Sequence, residues 1–365
     1  MEWLLAVAVL GLTYPYLLYP MLLAAVNRTS ARPTTPSAGL PSVAILVSAF
    51  NEETRIGDKI ANFHALEYPA DRLELWIGTD GSEDRTAEVV RRLHDPRVHL
   101  VERFERSGKT AVLNDLASRI RAEVLVFTDV TAAFRPDAVR RLTAVLQDPG
   151  TGLVSGRTVI RSGGNVQVEG AYYRLESFLK EREGACGWLA GADGAVYALR
   201  ANLYRNLPPD LINDLVHPCQ VAIQGFAARF EPAAVSEEPA GDDAGREFDR
   251  QTRITAQAGY LLAGQWGPLL RNRRWGMLWV LLSHKWLRWI AGLWMLLAFI
   301  AFASLGPLFA AVAILFALLL FAGWRLGASW AGLPVYFLVV HCAYLKGLWQ
   351  ALAGERYVTW KPRAG

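Results

Sequence analysis

The chain has 365 residues, and its composition argues against a purely water-soluble enzyme. Apolar residues make up 52% of it, which is enough for one large domain plus membrane segments. A net charge of only +4, without a dense basic run carrying interleaved aromatic residues, argues against a nucleic-acid partner. Three widely separated cysteines fit neither a zinc site nor a disulfide framework, and we interpret them as small buried residues: Cys186, Cys219 and Cys342.

The N-terminal stretch from Trp3 to Val26 is almost uncharged and long enough to cross a bilayer. Its positive charges, Arg28 and Arg32, follow the apolar core and do not precede it. We therefore interpret residues 1–27 as a transmembrane anchor and not as a cleavable signal peptide. The positive-inside rule then predicts an inner-membrane protein whose next domain is cytoplasmic. Residues 28–40, rich in Pro, Thr, Ser and Ala, are predicted to be a linker.

The C-terminal part is again membrane-like, since ten of the thirteen Trp residues lie beyond Gln265. In residues 266–289, Trp residues at three- and four-residue spacing alternate with Arg and Lys, which predicts an amphipathic helix in the cytoplasmic interface. The alternative is that this segment begins the next spanning helix. Residues 290–365 are predicted to hold about three spans, at 290–303, 307–324 and 330–352. Three spans would place the C-terminus outside, whereas four basic residues favour the cytoplasm: Lys346, Arg356, Lys361 and Arg363.

Between the two membrane regions, residues 41–265 alternate short apolar runs with helix-like polar stretches. This pattern predicts an α/β domain with a mostly parallel sheet and covering helices. Three of the apolar runs are followed by an acid: Glu52, Asp80 and Asp129. Because the carboxyl ends of parallel strands meet at one edge, these acids are predicted to converge where such sheets bind ligands. The alternative is that each one only caps the following helix.

Convergent carboxylates beside the Ser-Gly-Lys sequence that ends at Lys109 suit a metal-bound diphosphate and a sugar or ribose. The metal would be Mg²⁺ or Mn²⁺, because both prefer hard oxygen ligands and share them with phosphates.

Six segments then resemble, in order, the membrane-bound family-two glycosyltransferases, which include cellulose, hyaluronan and chitin synthases and single-transfer relatives. They are SAFNEE (48–53), TDGSEDRT (79–86), GKTAVLNDL (108–116), FTDVTAAF (127–134), GADGAVYALR (191–200) and NDLVHP (213–218). The resemblance covers roughly residues 40–290. It implies a GT-A fold, a nucleotide-sugar donor (most often a UDP-sugar), a divalent metal and inversion at the anomeric carbon.

The resemblance also assigns roles to individual residues. Asp129 matches the first acid of the D-x-D motif, which holds the metal and the diphosphate, and Asp193 would line the acceptor side. Asp214 matches the general base that takes a proton from the acceptor hydroxyl. The remaining donor-side positions are Ala49, Asn51 and Glu52 at the nucleoside, Asp80 at the base, and Lys109 and Arg253 near the diphosphate.

Three departures from the family pattern bear on function. The D-x-D motif has Thr131 in place of its second acid, and the acid pair before the base has Asn213 in its first position. Losing that neighbouring charge would lower the pKa of Asp214 unless burial compensates. The Q-x-x-R-W element of processive synthases keeps only Arg253, because Ile254 replaces its Trp.

The sequence therefore predicts a membrane glycosyltransferase acting on a lipid or lipid-linked acceptor, with a possible homo-oligomer. Two alternatives stay open. One is a processive polysaccharide synthase that secretes its product. The other is a catalytically silent nucleotide-sugar-binding subunit of a secretion complex, which the incomplete motifs suggest.

Overall fold

The computed structural model describes residues 1–26, 39–162, 165–166, 171–239, 244–326 and 329–358. The chain divides into two compact units. A helical unit comprises residues 1–25, 242–263 and 279–356, and a sheet unit comprises residues 26–241, 264–278 and 357–365. The predicted linker lies almost wholly outside the described residues, and so do Lys361 and Arg363.

The N-terminal segment is helical throughout. Helix α1 (Glu2–Thr13) continues through a π-helical turn (Tyr14–Leu18) into α2 (Tyr19–Ala25). Proline cannot donate a backbone hydrogen bond, and Pro15 and Pro20 interrupt the usual ladder here. Residues 2–25 together are long and apolar enough to cross a membrane, as predicted.

The sheet unit contains one nine-stranded sheet. Its strands run, in space, in the order β3-β2-β1-β4-β8-β6-β9-β5, with β7 paired to β6. Their bounds are β1 Val43–Ala49, β2 Leu73–Asp80, β3 Val98–Arg103, β4 Val124–Thr128, β5 Ala133–Phe134, β6 Thr151–Ser162, β7 Asn165–Val166, β8 Tyr197–Arg200 and β9 Ala227–Pro239. The three apolar runs that lead to Glu52, Asp80 and Asp129 are thus β1, β2 and β4.

The first four strands are parallel, as the sequence predicted. Every residue of β1 is buried, because both faces of the sheet are covered. Val43, Ile45 and Val47 belong to one core cluster, whereas Ala44 and Leu46 belong to the other. The second half of the sheet is mixed, since β8 runs antiparallel to both β4 and β6.

Among the described residues, six α-helices lie wholly within the sheet unit. They are α3 Ile56–His64, α4 Thr86–Arg91, α5 Lys109–Arg119, α6 Ala138–Leu146, α7 Ala171–Cys186 and α8 Asn213–Ile223. The buried side chains of α3 and α6 join the first core cluster, and those of α5 join the second. Helices therefore cover both faces of the parallel half, which is the arrangement expected of an α/β domain.

The C-terminal helices agree with the predicted spans to within a residue. They are α9 Ala244–Arg271, α10 Trp275–Val280, a π-helical segment Leu281–Trp286, α11 Leu287–Trp289, α12 Ala291–Ala303, α13 Pro307–Arg325 and α14 Ser329–Leu352. Helices α13 and α14 contain candidate membrane spans, in addition to the one at residues 2–25. The helices at 275–289 and 291–303 form a bent pair, which gives a fourth candidate if the pair is counted as one broken span. The bend between the two members of this pair is 53°.

The predicted amphipathic segment at residues 266–289 is not one helix with one exposed aromatic face. Its first residues extend α9, and the chain then turns through Arg273, which has a φ of 55°. Trp279 donates a hydrogen bond to the Tyr14 hydroxyl at 3.3 Å, and Trp289 is only 5% exposed. Two Trp residues of the predicted amphipathic segment therefore pack against the protein.

Candidate active site

The candidate site lies at the carboxyl ends of β1 and β4. The chain leaves β1 through α3 to reach β2 on one side, while β4 lies on the other side of β1. Such a switch point opens a crevice outside the strand ends, where α/β sheets bind ligands. Glu52 follows β1 and Asp129 follows β4, so two of the three predicted acids lie just beyond the carboxyl ends of neighbouring strands.

Asp80, the third acid, is the last residue of β2 and points into the protein. Its carboxylate is fully enclosed and accepts hydrogen bonds from the Ser107 backbone (2.6 Å), the Ser107 hydroxyl (3.1 Å) and the Gly108 backbone (3.1 Å). Asp80 therefore fixes the loop that leads into α5. Its predicted contact with a base would require that loop to move, and that role stays a prediction.

Lys109 begins α5 directly after this loop and forms an ion pair with Asp129. The side chains of Lys109 and Asp129 are 32% and 41% exposed, so both charges border the crevice. Burial lowers the pKa of Lys109, but the carboxylates of Asp129, Asp214 and Glu238 together more than offset this, and the net shift is upward. The structure thus joins the two residues that were predicted near the diphosphate.

The segment after β1 is held by a network of side chain to backbone hydrogen bonds. Asn51 has a φ of 53° and accepts a hydrogen bond from the Glu83 amide at 2.9 Å. The left-handed conformation is one that asparagine tolerates better than most residues. The Glu52 amide donates to the Thr86 hydroxyl at 2.8 Å, and burial raises the pKa of the Glu52 carboxyl despite the nearby Arg55. Ala49 is completely buried, and its predicted contact with the nucleoside stays a prediction.

Asp214 lies in the first turn of α8, where the helix dipole favours an acidic residue. Its Oδ1 atom is buried and has no hydrogen-bond partner among the described residues. Burial raises the pKa of this carboxyl; the Lys109 charge opposes the rise, and the Asp129 and Asp193 charges add to it. Burial therefore compensates for the missing acid at Asn213, and the carboxylate is a stronger base than an exposed aspartate.

The GADGA turn packs directly on Asp214. The Ala192 amide donates to the Asp214 carbonyl at 2.7 Å. A Cβ atom added at Gly194 would lie 2.7 Å from Asp214 Oδ2, which is closer than van der Waals contact allows. The absence of a side chain at Gly194 therefore leaves room for the carboxylate. Gly194 was not among the site residues that the sequence predicted.

Asp193 is bound within the protein and has little exposed surface. Its carboxylate accepts from the Thr158 amide (3.0 Å) and hydroxyl (2.6 Å), and Lys180 of α7 lies 3.7 Å away. These contacts tie the GADGA turn to β6 and α7. The predicted acceptor contact of Asp193 stays a prediction, and Lys180 is a charged neighbour of this site that no motif in the sequence marked.

Thr110, the residue after Lys109, connects α5 to the start of α8. Its hydroxyl lies 2.7 Å from the Leu211 carbonyl and 3.0 Å from Asn213 Oδ1. The turn after Lys109 is thereby connected to the start of α8, which carries Asp214. Arg253 lies on α9 in the helical unit, and its predicted role at the diphosphate stays a prediction.

The described residues contain no group of three or more His, Cys, Asp or Glu that could hold a metal ion. A divalent ion here would rest on Asp129, because only Oδ1 of its carboxylate is engaged by Lys109. One carboxylate together with phosphate oxygens and water is a ligand set that Mg²⁺ and Mn²⁺ accept. The residues present therefore fit a metal that a diphosphate helps to bind.

Comparisons with known proteins agree with this geometry. Residues 44–203 match the model of the family described as glycosyl transferase family 2. A β-monoglucosyldiacylglycerol synthase of Synechocystis is 29% identical over 41% of this chain and 34% of its own length. A poly-β-1,6-N-acetyl-D-glucosamine synthase of Staphylococcus aureus is 24% identical over 54% of this chain and 49% of its own. The chain thus spans about a third to a half of the length of these relatives.

A solved structure resembles nearly the whole chain. It is a mannosyltransferase from Pyrobaculum calidifontis in complex with GDP-Man and Mn²⁺. The TM-score is 0.73 at 22% identity, over 96% of this chain and 99% of that one. At this identity the likeness establishes the fold, with apolar helices at both ends of an α/β domain. The chain therefore has the GT-A fold, and its residues 44–203 match the family 2 glycosyltransferase model.

Proposed function

We propose that this enzyme transfers a sugar, with inversion, from a nucleotide-sugar donor such as a UDP-sugar to a lipid or lipid-linked hydroxyl at the cytoplasmic membrane face. The observation that carries the proposal is Asp214. It is a carboxylate with a raised pKa and an unpartnered oxygen, and the charges of Lys109 and Asp129 act on it. This combination suits a general base beside a diphosphate site.

Asp214 acts on the acceptor. Its carboxylate takes the proton from the acceptor hydroxyl while the hydroxyl oxygen forms a bond to the anomeric carbon of the donor. The bond between that carbon and the phosphate oxygen breaks, and its electron pair leaves with the nucleoside diphosphate. Direct displacement of this kind inverts the anomeric configuration, and no covalent sugar–enzyme intermediate is required.

Lys109 and Asp129 act on the leaving group. The Lys109 ammonium is cationic at neutral pH and can stabilise the charge that develops on the departing diphosphate. Asp129 would hold the divalent metal, whose positive charge adds to this stabilisation. The Mn²⁺ and GDP-Man in the Pyrobaculum structure support a metal-bound nucleotide sugar at this site.

A lipid acceptor is supported by two independent observations. The Synechocystis relative is named as a synthase of a glucosylated diacylglycerol. Among the described residues, three helices are also long and apolar enough to cross a membrane, or four if the bent pair is one span. Such helices would keep the enzyme at the bilayer that holds a lipid acceptor.

The test is to incubate the purified protein in detergent with UDP-glucose, UDP-N-acetylglucosamine and GDP-mannose, each with Mn²⁺. Nucleotide release is measured with and without diacylglycerol, and the lipid fraction is analysed for sugar. Metal-dependent release that requires the lipid and yields one glycosylated product supports the proposal. A long water-soluble polymer would instead identify a processive synthase, as in the Staphylococcus relative, and donor binding without release would identify the silent subunit.

A further inference from the structure

Helix α3 carries a lysine on its buried face. Ile56, Ile60 and Phe63 point into the first core cluster, and Lys59 lies between them at the same helical spacing. Only 3% of Lys59 is exposed. A buried ammonium group is costly unless its donors are bound, so its contacts indicate what it is for.

Lys59 contacts both sides of the turn that carries Asp129. Its Nζ atom donates to the Thr128 hydroxyl at 2.9 Å, immediately before Asp129, and to the Ala132 carbonyl at 2.5 Å, three residues after it. The same nitrogen lies 4.6 Å from the centre of the Phe134 ring, within the range of a cation–π interaction.

Asn62, one helical turn further along α3, holds the end of the same loop. Its side-chain amide donates to the Phe134 carbonyl at 2.8 Å and accepts from the Phe134 amide at 2.8 Å. Residues three apart lie on one face of a helix. Lys59 and Asn62 thus make four hydrogen bonds to the loop of residues 128–134, which we term the Asp129 loop.

The charge of Lys59 also acts on the site. Burial lowers the pKa of Lys59 to about 7, and the carboxylates of Asp129 and Glu238 oppose that shift. Glu238 lies on β9, which pairs with β5 inside the Asp129 loop. The charge of Lys59 is therefore coupled to two carboxylates, one directly after β4 and one on β9.

A purely structural role explains the position of Lys59 less well. A methionine would fill the same volume in the apolar face of α3 without burying a charge. Because Thr131 replaces the second acid of the motif, the family's two-carboxylate arrangement is missing here, and the orientation of Asp129 depends more on its loop. The two side chains of α3 provide such a support, since they bind the loop before and after Asp129.

We propose that Lys59 is a positioning residue of the transfer reaction, which together with Asn62 clamps the Asp129 loop on α3 and holds Asp129 towards the donor diphosphate. The inference rests on the proposed function for the identity of the ligand, but the clamp itself can be tested without any ligand.

The test uses the full-length protein and two variants, Lys59→Met and Asn62→Ala, with Tyr68→Phe as the matched control. Tyr68 donates one hydrogen bond to the Pro41 carbonyl at 2.7 Å, near the opposite end of β1, so its variant loses a bond of similar burial outside the loop. Amide hydrogen exchange is measured on peptides covering residues 128–134 and, for comparison, residues 109–119. Binding of UDP and of GDP, each with Mn²⁺, is measured by calorimetry.

Lys59→Met is expected to speed exchange in the Asp129 loop by about tenfold while leaving α5 unchanged, because the loop then opens locally. It should also weaken nucleotide binding by about tenfold and raise donor KM with an unchanged acceptor KM, a split that loss of global stability would not produce. Asn62→Ala should speed exchange at Phe134 in the same way. Tyr68→Phe should change neither measurement.

Unchanged exchange in the Asp129 loop of folded Lys59→Met and Asn62→Ala would overturn the clamp. Faster exchange with unchanged nucleotide affinity would overturn the positioning role. If Lys59→Met does not fold, hydrogen exchange and nucleotide affinity measured on Asn62→Ala test the clamp and the positioning role instead. If the wild-type protein binds neither UDP nor GDP, the proposed function fails, and the exchange data still decide whether the clamp exists.

Discussion

Gly194→Ala tests the idea that the position of Asp214 sets the rate. The added Cβ atom would lie 2.7 Å from Asp214 Oδ2, 3.5 Å from Cγ and 3.8 Å from Cβ of the same residue. The conflict is therefore with the carboxylate itself and not with the backbone of α8. Either the carboxylate of Asp214 moves away or rotates, or the turn around Gly194 shifts.

The size of this movement gives the expected effect. Ordinary contact between a carbon and an oxygen is about 3.4 Å, so the carboxylate would move by roughly 0.7 Å. A misplacement of about 1 Å in a catalytic group costs on the order of 100-fold in rate, so kcat should fall by about 10- to 100-fold. The cost to stability should stay within about 1–3 kcal/mol, because one methyl group is added at a turn.

The assay is nucleotide release at saturating donor and acceptor, with donor affinity and Tm measured on the same preparation. The control is Gly57→Ala on α3, since a Cβ atom there meets nothing within 4 Å. That control should keep full activity and gain about 0.5–1 kcal/mol, because alanine favours a helix over glycine. A folded Gly194→Ala enzyme with wild-type kcat would refute the reasoning.

Three further predictions follow from the same site. The transfer rate should fall as the pH drops through the raised pKa of Asp214. The apparent pKa on the acidic side of the kcat–pH profile should therefore lie above the ordinary aspartate value of 3.8. An apparent pKa at or below that value would contradict the claim that burial raises the pKa of Asp214. Asp129→Ala should weaken Mn²⁺-dependent UDP binding as well as sugar transfer, and a metal chelator should abolish activity. Thr131→Asp should be tolerated or should change the metal preference. Unchanged UDP affinity in Asp129→Ala would contradict the role of Asp129 in metal binding. Burial lowers the pKa of Lys59 to about 7 in the folded protein, so the unfolded chain binds more protons than the folded protein between pH 7 and 10. The free energy of unfolding, measured by chemical denaturation, should therefore rise with pH in that range. Lys59→Met should remove the contribution of Lys59 to this rise.

The sequence predicted the parallel half of the sheet well, because β1 and β4 are apolar at almost every position and are followed by polar residues. Both faces of β1 are covered by helices. The segment from Val43 to Ala49 is therefore a continuous apolar run, as expected for a strand of a parallel sheet. The convergence of Glu52 and Asp129 followed from topology alone. The direction of Asp80 did not, since whether an acid at a strand end faces a ligand or a backbone loop depends on the Ser107–Gly108 turn.

Side chains that act through packing were the hardest to predict. A lysine among Ile56, Ile60 and Phe63 is a visible anomaly on a helical wheel, but its partners Thr128 and Ala132 are 69 and 73 residues away. The Trp residues of the predicted amphipathic segment were difficult to place for a related reason. Their spacing predicted a helix with one aromatic face in the membrane interface. In the structure, Trp279 instead donates a hydrogen bond to Tyr14, and Trp289 is buried.

The most direct test of the account is a paired measurement on Asp214→Asn. This substitution keeps the size of the side chain and removes its basicity. Transfer of labelled sugar to the lipid acceptor should fall by about 10²–10⁴, the usual contribution of a positioned general base, while the Kd for the nucleotide-sugar donor with Mn²⁺ stays within about twofold of wild type. Near-normal transfer by the folded variant would contradict the central claim that Asp214 takes the acceptor proton.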